Sequence, residues 1–161
     1  DDEQTSLMIR TICGTGIRVS ELRYITAEAV ASGKAVVDCK NKKRIILIPS
    51  LIQEFLIPYI KKSGIKSGPI FLSKNGNPID RTSIWRKMKE LCEISGVNPE
   101  KVFPHNLRHL FARTFYSIDG DIVRLADVLG HSNINTTRIY TMEAGRQHMD
   151  MLDQLQNILT T

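Results

Sequence analysis

Three short amphipathic segments, separated by helix breakers, fill residues 104–140 and constrain the fold of this chain more than any other feature. Pro104 opens the first at a helical position where its missing N–H does no harm. From there Leu107, Leu110, Phe111, Thr114 and Phe115 recur at i, i+3, i+4, i+7 and i+8, which predicts a helix turning those side chains to the core. His105, Arg108, His109 and Ala112 fall on the opposite face, so the polar trio is expected together at the rim of the core. Asp121 starts the next helix, with Ile122, Leu125, Ala126 and Leu129 inward and Gly130 as its stop. Ser132 or Asn133 caps a brief helix leading to Tyr140.

The upstream half is read the same way. Leu7, Met8, Ile9 and Ile12 give an apolar side to a helix over 5–13, and Gly14 and Gly16 are expected to end it. A short helix is expected over 19–24. Residues 35–39 and 44–48 read as two strands of a hairpin around the basic turn Lys40-Asn41-Lys42-Lys43. Ser50 is expected to cap a helix over 51–62, with Pro58 kinking or splitting it. Asn75-Gly76-Asn77-Pro78 is a turn, and Asp80 or Thr82 caps a helix through Ile84, Met88, Leu91 and Cys92. The fold class is therefore mostly α with a small antiparallel β-sheet (α+β).

A chain of 161 residues is long enough for one domain with a real core. Its net charge of +5 suits a polyanionic partner. The longest apolar run, Ile45 to Ile48, is far too short to span a bilayer, so no membrane partner is expected. Cys13, Cys39 and Cys92 are odd in number and widely spaced, which fits neither a disulfide framework nor a zinc knuckle. They read as reduced thiols in a cytoplasm.

The polar residues carry a specific chemistry. Arginines grip phosphate oxygens in a fork, imidazoles move protons near neutral pH, and a phenol can attack phosphorus. Arg18 and Arg108, His105 and His131, and Tyr140 supply that set and point to phosphoryl transfer on a nucleic-acid backbone without a metal ion. His105 and His109 stand at i, i+4, but Asn106 occupies the place of the glutamate in a zinc-type HExxH. No metal or other cofactor is expected.

The residues Thr15-Gly16-Ile17-Arg18-Val19-Ser20-Glu21-Leu22, then His105-x-Leu107-Arg108-His109, Leu129-Gly130-His131 and Thr136-Thr137-x-x-Tyr140 follow one another over nearly the whole chain. In that order and spacing they resemble the catalytic domain of the tyrosine recombinases, the phage-integrase and Xer-like family. The resemblance implies a site-specific DNA recombinase that cuts and rejoins strands through a 3′-phosphotyrosyl intermediate, without metal or ATP. It implies Tyr140 as nucleophile, Arg18 and Arg108 as phosphate clamps, and His105 as the general acid/base. His131 would bond a non-bridging phosphate oxygen or assist proton transfer. It also implies a hairpin lysine that protonates the leaving 5′-oxygen. Lys40 aligns best and Lys42 is the reserve, since the turn is one residue shorter than in the Xer-like pattern. His109 is expected to orient its neighbours through a buried hydrogen bond.

On this reading residues 1–161 are a single catalytic domain: a core over 1–145 that includes the tyrosine helix, and an amphipathic C-terminal tail helix over 146–161. The separate N-terminal core-binding domain of the family would be absent, which suggests an excised fragment with weak affinity for DNA. Leu152, Leu155, Ile158 and Leu159 form a stripe suited to docking on a neighbouring protomer or to folding back on the same domain. The implied partners are double-stranded DNA at a specific recombination site and further copies of the protein, a tetramer in full-length relatives. The implied location is a prokaryotic cytoplasm, acting on the nucleoid or a mobile element. A type IB topoisomerase shares the phosphotyrosyl chemistry, and a non-catalytic DNA-binding protein would share the fold. The complete set Arg18, Lys40, His105, Arg108, His131 and Tyr140 leaves no role vacant, which speaks against the second.

Overall fold

A computed structural model describes residues 2–39 and 42–141. The chain forms two compact units, residues 1–112 and 113–161, with the boundary inside one helix.

In the first unit, α1 (Asp2–Thr15) is followed by a 3₁₀ turn over Val19–Tyr24 and a short α2 (Ala27–Ser32). Strands β1 (Lys34–Cys39) and β2 (Lys42–Leu47) then form an antiparallel hairpin, and α3 (Ser50–Lys62) and α4 (Arg81–Ser95) follow. The pleat sorts the hairpin's side chains. Ala35, Val37 and Ile46 face inward and are buried, while Val36 and Ile45, paired across the ladder, are exposed. α1 packs on α3 and α4. The core between them is built from Met8, Ile12, Ile17, Leu22, Leu56, Phe71, Ile84 and Met88. Each such side chain contributes roughly 1.5–3 kcal/mol of burial, so this cluster fixes where the loops at its edge stand.

Most expected boundaries hold within one or two residues. Asp80 is the cap of α4, its carboxylate accepting from the Ser83 N–H at 2.9 Å. Gly14 stays inside α1, packed so that a Cβ would lie 2.7 Å from Ile52 Cδ1, and only Gly16 turns the chain, at φ +64°. Ser50 is the first residue of α3 rather than its cap, and Pro58 lies inside α3 without splitting it. The helix α2 was not foreseen. It is six residues long, capped by Thr26, whose Oγ1 accepts from the Ala29 N–H at 3.1 Å, and stopped by Gly33 at φ +71°.

α5 (Pro104–Asp119) crosses the unit boundary, and its inner face differs from the expected one. Arg108 and Ala112, assigned to the solvent side, are buried, whereas Leu110 is 55% exposed and Thr114 is exposed. The stripe is turned because Arg108 finds a buried acceptor, the Gly16 carbonyl. A charged guanidinium is buried only where its donors find partners, and the Gly16 carbonyl supplies one of them. In the second unit, α6 (Ile122–Leu129) buries Leu125, Ala126 and Leu129 and packs on α7 (Asn135–Arg138). The Asp121 carboxylate caps α6, accepting from the N–H groups of Val123 at 2.9 Å and Arg124 at 3.0 Å. The tail expected over 146–161 lies outside the described residues.

Candidate active site

The first unit gathers three of the expected residues. Arg18 leads into the 3₁₀ turn, where its carbonyl accepts from the Glu21 N–H at 2.8 Å. Glu21 answers with its carboxylate: Oε2 accepts from the Arg18 N–H at 2.9 Å and Oε1 from Arg18 Nη1 at 3.0 Å. Arg44, from β2, donates to the same Oε2. The Glu21 side chain is only 4% exposed, against 42% for that of Arg18. Burial, the largest influence, would raise the Glu21 pKa. The Arg18 N–H and the guanidiniums of Arg44 and Arg18 together outweigh it and hold the carboxyl below its ordinary value.

Gly16 joins this turn to α5. Its carbonyl receives the Arg108 guanidinium, and its missing side chain makes room for Phe111, since a Cβ would lie 2.4 Å from Phe111 Cδ1. Arg108 is thereby anchored to the backbone of the turn that follows α1. Arg18, Arg81, Trp85, Phe103, His105 and Arg108 line one cavity of about 750 Å³. His105 is exposed there, its Nε2 2.7 Å from His109 Nε2, with the rings edge to face at 69°. In such a contact one imidazole donates and the other accepts. This contact is exposed, whereas the hydrogen bond expected of His109 is a buried one.

The second unit holds the other two. Gly130, at φ +67°, ends α6, and the next N–H, that of His131, returns to the Ala126 carbonyl at 2.9 Å. This closure is what places the imidazole. His131 Nδ1 lies 2.9 Å from Oγ1 of the fully buried Thr137, and the ring stacks on Tyr140 with centroids 6.2 Å apart and planes at 13°. Tyr140 is buried, and its N–H donates to the Thr137 carbonyl at 3.0 Å. Lys40 lies outside the described residues; Lys43 is exposed on β2.

Among the described residues, no group of three or more His, Cys, Asp or Glu could hold a metal ion, and no helix is long and apolar enough to cross a membrane. Glu21 and Arg44 have no role assigned from sequence, and Gly16 has only that of ending the first helix. The i, i+3 spacing of Arg18 and Glu21 was a visible signal for the first. Nothing local marks Arg44, which arrives from 23 residues away.

Among solved structures, the fold is that of the recombinase catalytic domain. The crystal structure of XerA recombinase matches 95% of this chain and 57% of that one, with a TM-score of 0.78 and 26% identity. A XerH site-specific recombinase bound to its difH substrate matches 86% of this chain and 42% of that one, with a TM-score of 0.72 and 25% identity. The profile of the phage integrase family covers residues 1–146, and the chain belongs to that family. Similar curated proteins include the tyrosine recombinase XerD of Xanthomonas campestris pv. campestris, 29% identical over 160 residues, 90% of this chain and 49% of that protein. Another is the tyrosine recombinase XerH of Campylobacter jejuni subsp. jejuni, 31% identical over 148 residues, 86% of this chain and 41% of that protein. The chain spans about half the length of the curated relatives it matches.

Proposed function

We propose that this chain is the strand-cutting part of a site-specific DNA recombinase or integrase, acting through a phosphotyrosyl intermediate. The observation that carries this reading is the meeting of Arg18, His105 and Arg108 at one cavity, in a chain of the phage integrase family. Two guanidiniums and an imidazole at one opening are the groups that a phosphodiester under attack requires. The relatives named as tyrosine recombinases favour this over a topoisomerase.

In the proposed reaction the Tyr140 oxygen attacks phosphorus in line with the 5′-oxygen. The P–O bond to Tyr140 forms as the P–O5′ bond breaks, leaving a 3′-phosphotyrosyl linkage and a 5′-hydroxyl. His105 takes the phenol proton, and Lys40 delivers one to the leaving oxygen. Arg18, Arg108 and His131 bear the charge that builds on the non-bridging oxygens. The phosphotyrosyl bond conserves the energy of the phosphodiester, so the 5′-hydroxyl of a partner strand can attack it without ATP. The partners on this reading are duplex DNA at a specific site and further copies of the protein, joined through the residues after Gly145. The setting is the cytoplasm of a prokaryote.

The test uses a pool of nicked duplexes with a randomised crossover region, in which the released strand diffuses away and traps the intermediate. A detergent-resistant protein–DNA adduct should form in excess EDTA and be abolished in Tyr140→Phe. An EDTA-sensitive nick without adduct would exclude the mechanism.

A further inference from the structure

We propose that Arg44 is a positioning residue for the phosphate clamp: by neutralising Glu21, it leaves the charge of Arg18 available to phosphate. The inference rests on the reading of Arg18 as a phosphate ligand and adds a residue that reading did not include.

The geometry is specific. Glu21 is a buried carboxylate that both fixes the backbone of Arg18 and binds its guanidinium. That contact works against function, because a carboxylate on Arg18 competes with any phosphate that approaches the same guanidinium. Arg44 reaches the other oxygen of the same carboxylate, with its side chain only 15% exposed. Glu21 with both arginines carries a net charge of +1; without Arg44 the Glu21–Arg18 pair is neutral. The field that a phosphate meets at the half-exposed Arg18 then depends on a side chain set back from it.

Position supports the same conclusion. Arg44 lies on β2 opposite Val37, with its neighbour Lys43 exposed. The ion pair therefore ties the hairpin to the 3₁₀ turn that Arg18 leads into. The depressed pKa of Glu21 is consistent with it, Arg44 being one of the groups that keep the carboxyl ionised.

The experiment titrates inorganic phosphate into the chain and follows the Arg18 guanidinium by NMR. R44M should weaken phosphate binding about tenfold, the effect of a single charge interaction of ordinary size. R44M/E21Q, which removes the carboxylate together with its neutraliser, should restore affinity to within about threefold of the parent. A purely structural Arg44 would leave the double variant no better than R44M, because the neutral amide that E21Q introduces does not rebuild the lost ion pair. Should R44M fail to fold, R44Q keeps a donor for Glu21 while losing the charge, and should show the same tenfold loss. Binding by R44M or R44Q within twofold of the parent overturns the proposal. So does a parent chain whose Arg18 does not respond to phosphate. The titration needs neither Tyr140 nor DNA, so its failure is distinct from failure to form the covalent adduct.

Discussion

Gly16 shows how much one residue does here. It has φ +64°, it leaves room for Phe111, and its carbonyl holds Arg108. Gly16→Ala adds a strained backbone to an overpacked contact, and urea denaturation should show a loss of roughly 2–4 kcal/mol. Glu21 predicts a pH dependence. Its folded pKa lies below the ordinary value, so its contribution is complete above a pH of about 4.3 and is lost as pH falls through the lower folded pKa. Acid titrations of stability should therefore fall less steeply below that pH in Glu21→Gln than in the parent. The identities of Arg18, His105, Arg108, His131 and Tyr140 as candidates were legible because their residue types carry chemistry at recognisable spacings. The surroundings of Arg18 were not. Whether an arginine is bonded by a carboxylate or a carbonyl depends on tertiary contacts such as those from Arg44 and Gly16, which leave no local pattern.

Among the elements, α4 and the start of α5 are joined by one side chain. Lys89 donates to the Pro99 carbonyl and lies over the Phe103 ring at 4.0 Å and the Trp85 ring at 5.4 Å. It thus holds the loop that leads into Pro104 and His105. Lys89→Met keeps the apolar stem and removes the charge and the donor; the cost should be about 1–2 kcal/mol. Amide exchange over residues 103–107 should quicken while that of α1 does not. An unchanged exchange pattern would dissociate Lys89 from the placement of His105. Sequence showed the other elements better than it showed α2 and the inward face of α5. α2 is bounded by the Thr26 cap and the Gly33 stop and carries no apolar stripe of its own beyond Ala29 and Val30. In α5 the hydrophobic period selected Leu110 over Arg108, because hydropathy does not record that a buried guanidinium can be satisfied by a carbonyl.

For the whole molecule, the candidate groups divide by unit: Arg18, His105 and Arg108 in residues 1–112, His131 and Tyr140 in residues 113–161. The central proposal is that Tyr140 supplies the attacking atom. The most direct measurement digests the trapped protein–DNA adduct with protease and nuclease and locates the nucleotide by mass spectrometry. The account predicts a nucleotide joined through its 3′-phosphate to Tyr140, on the peptide that contains Thr136-Thr137-Arg138-Ile139. A nucleotide on any other residue, or a 5′-phosphate linkage, would contradict it.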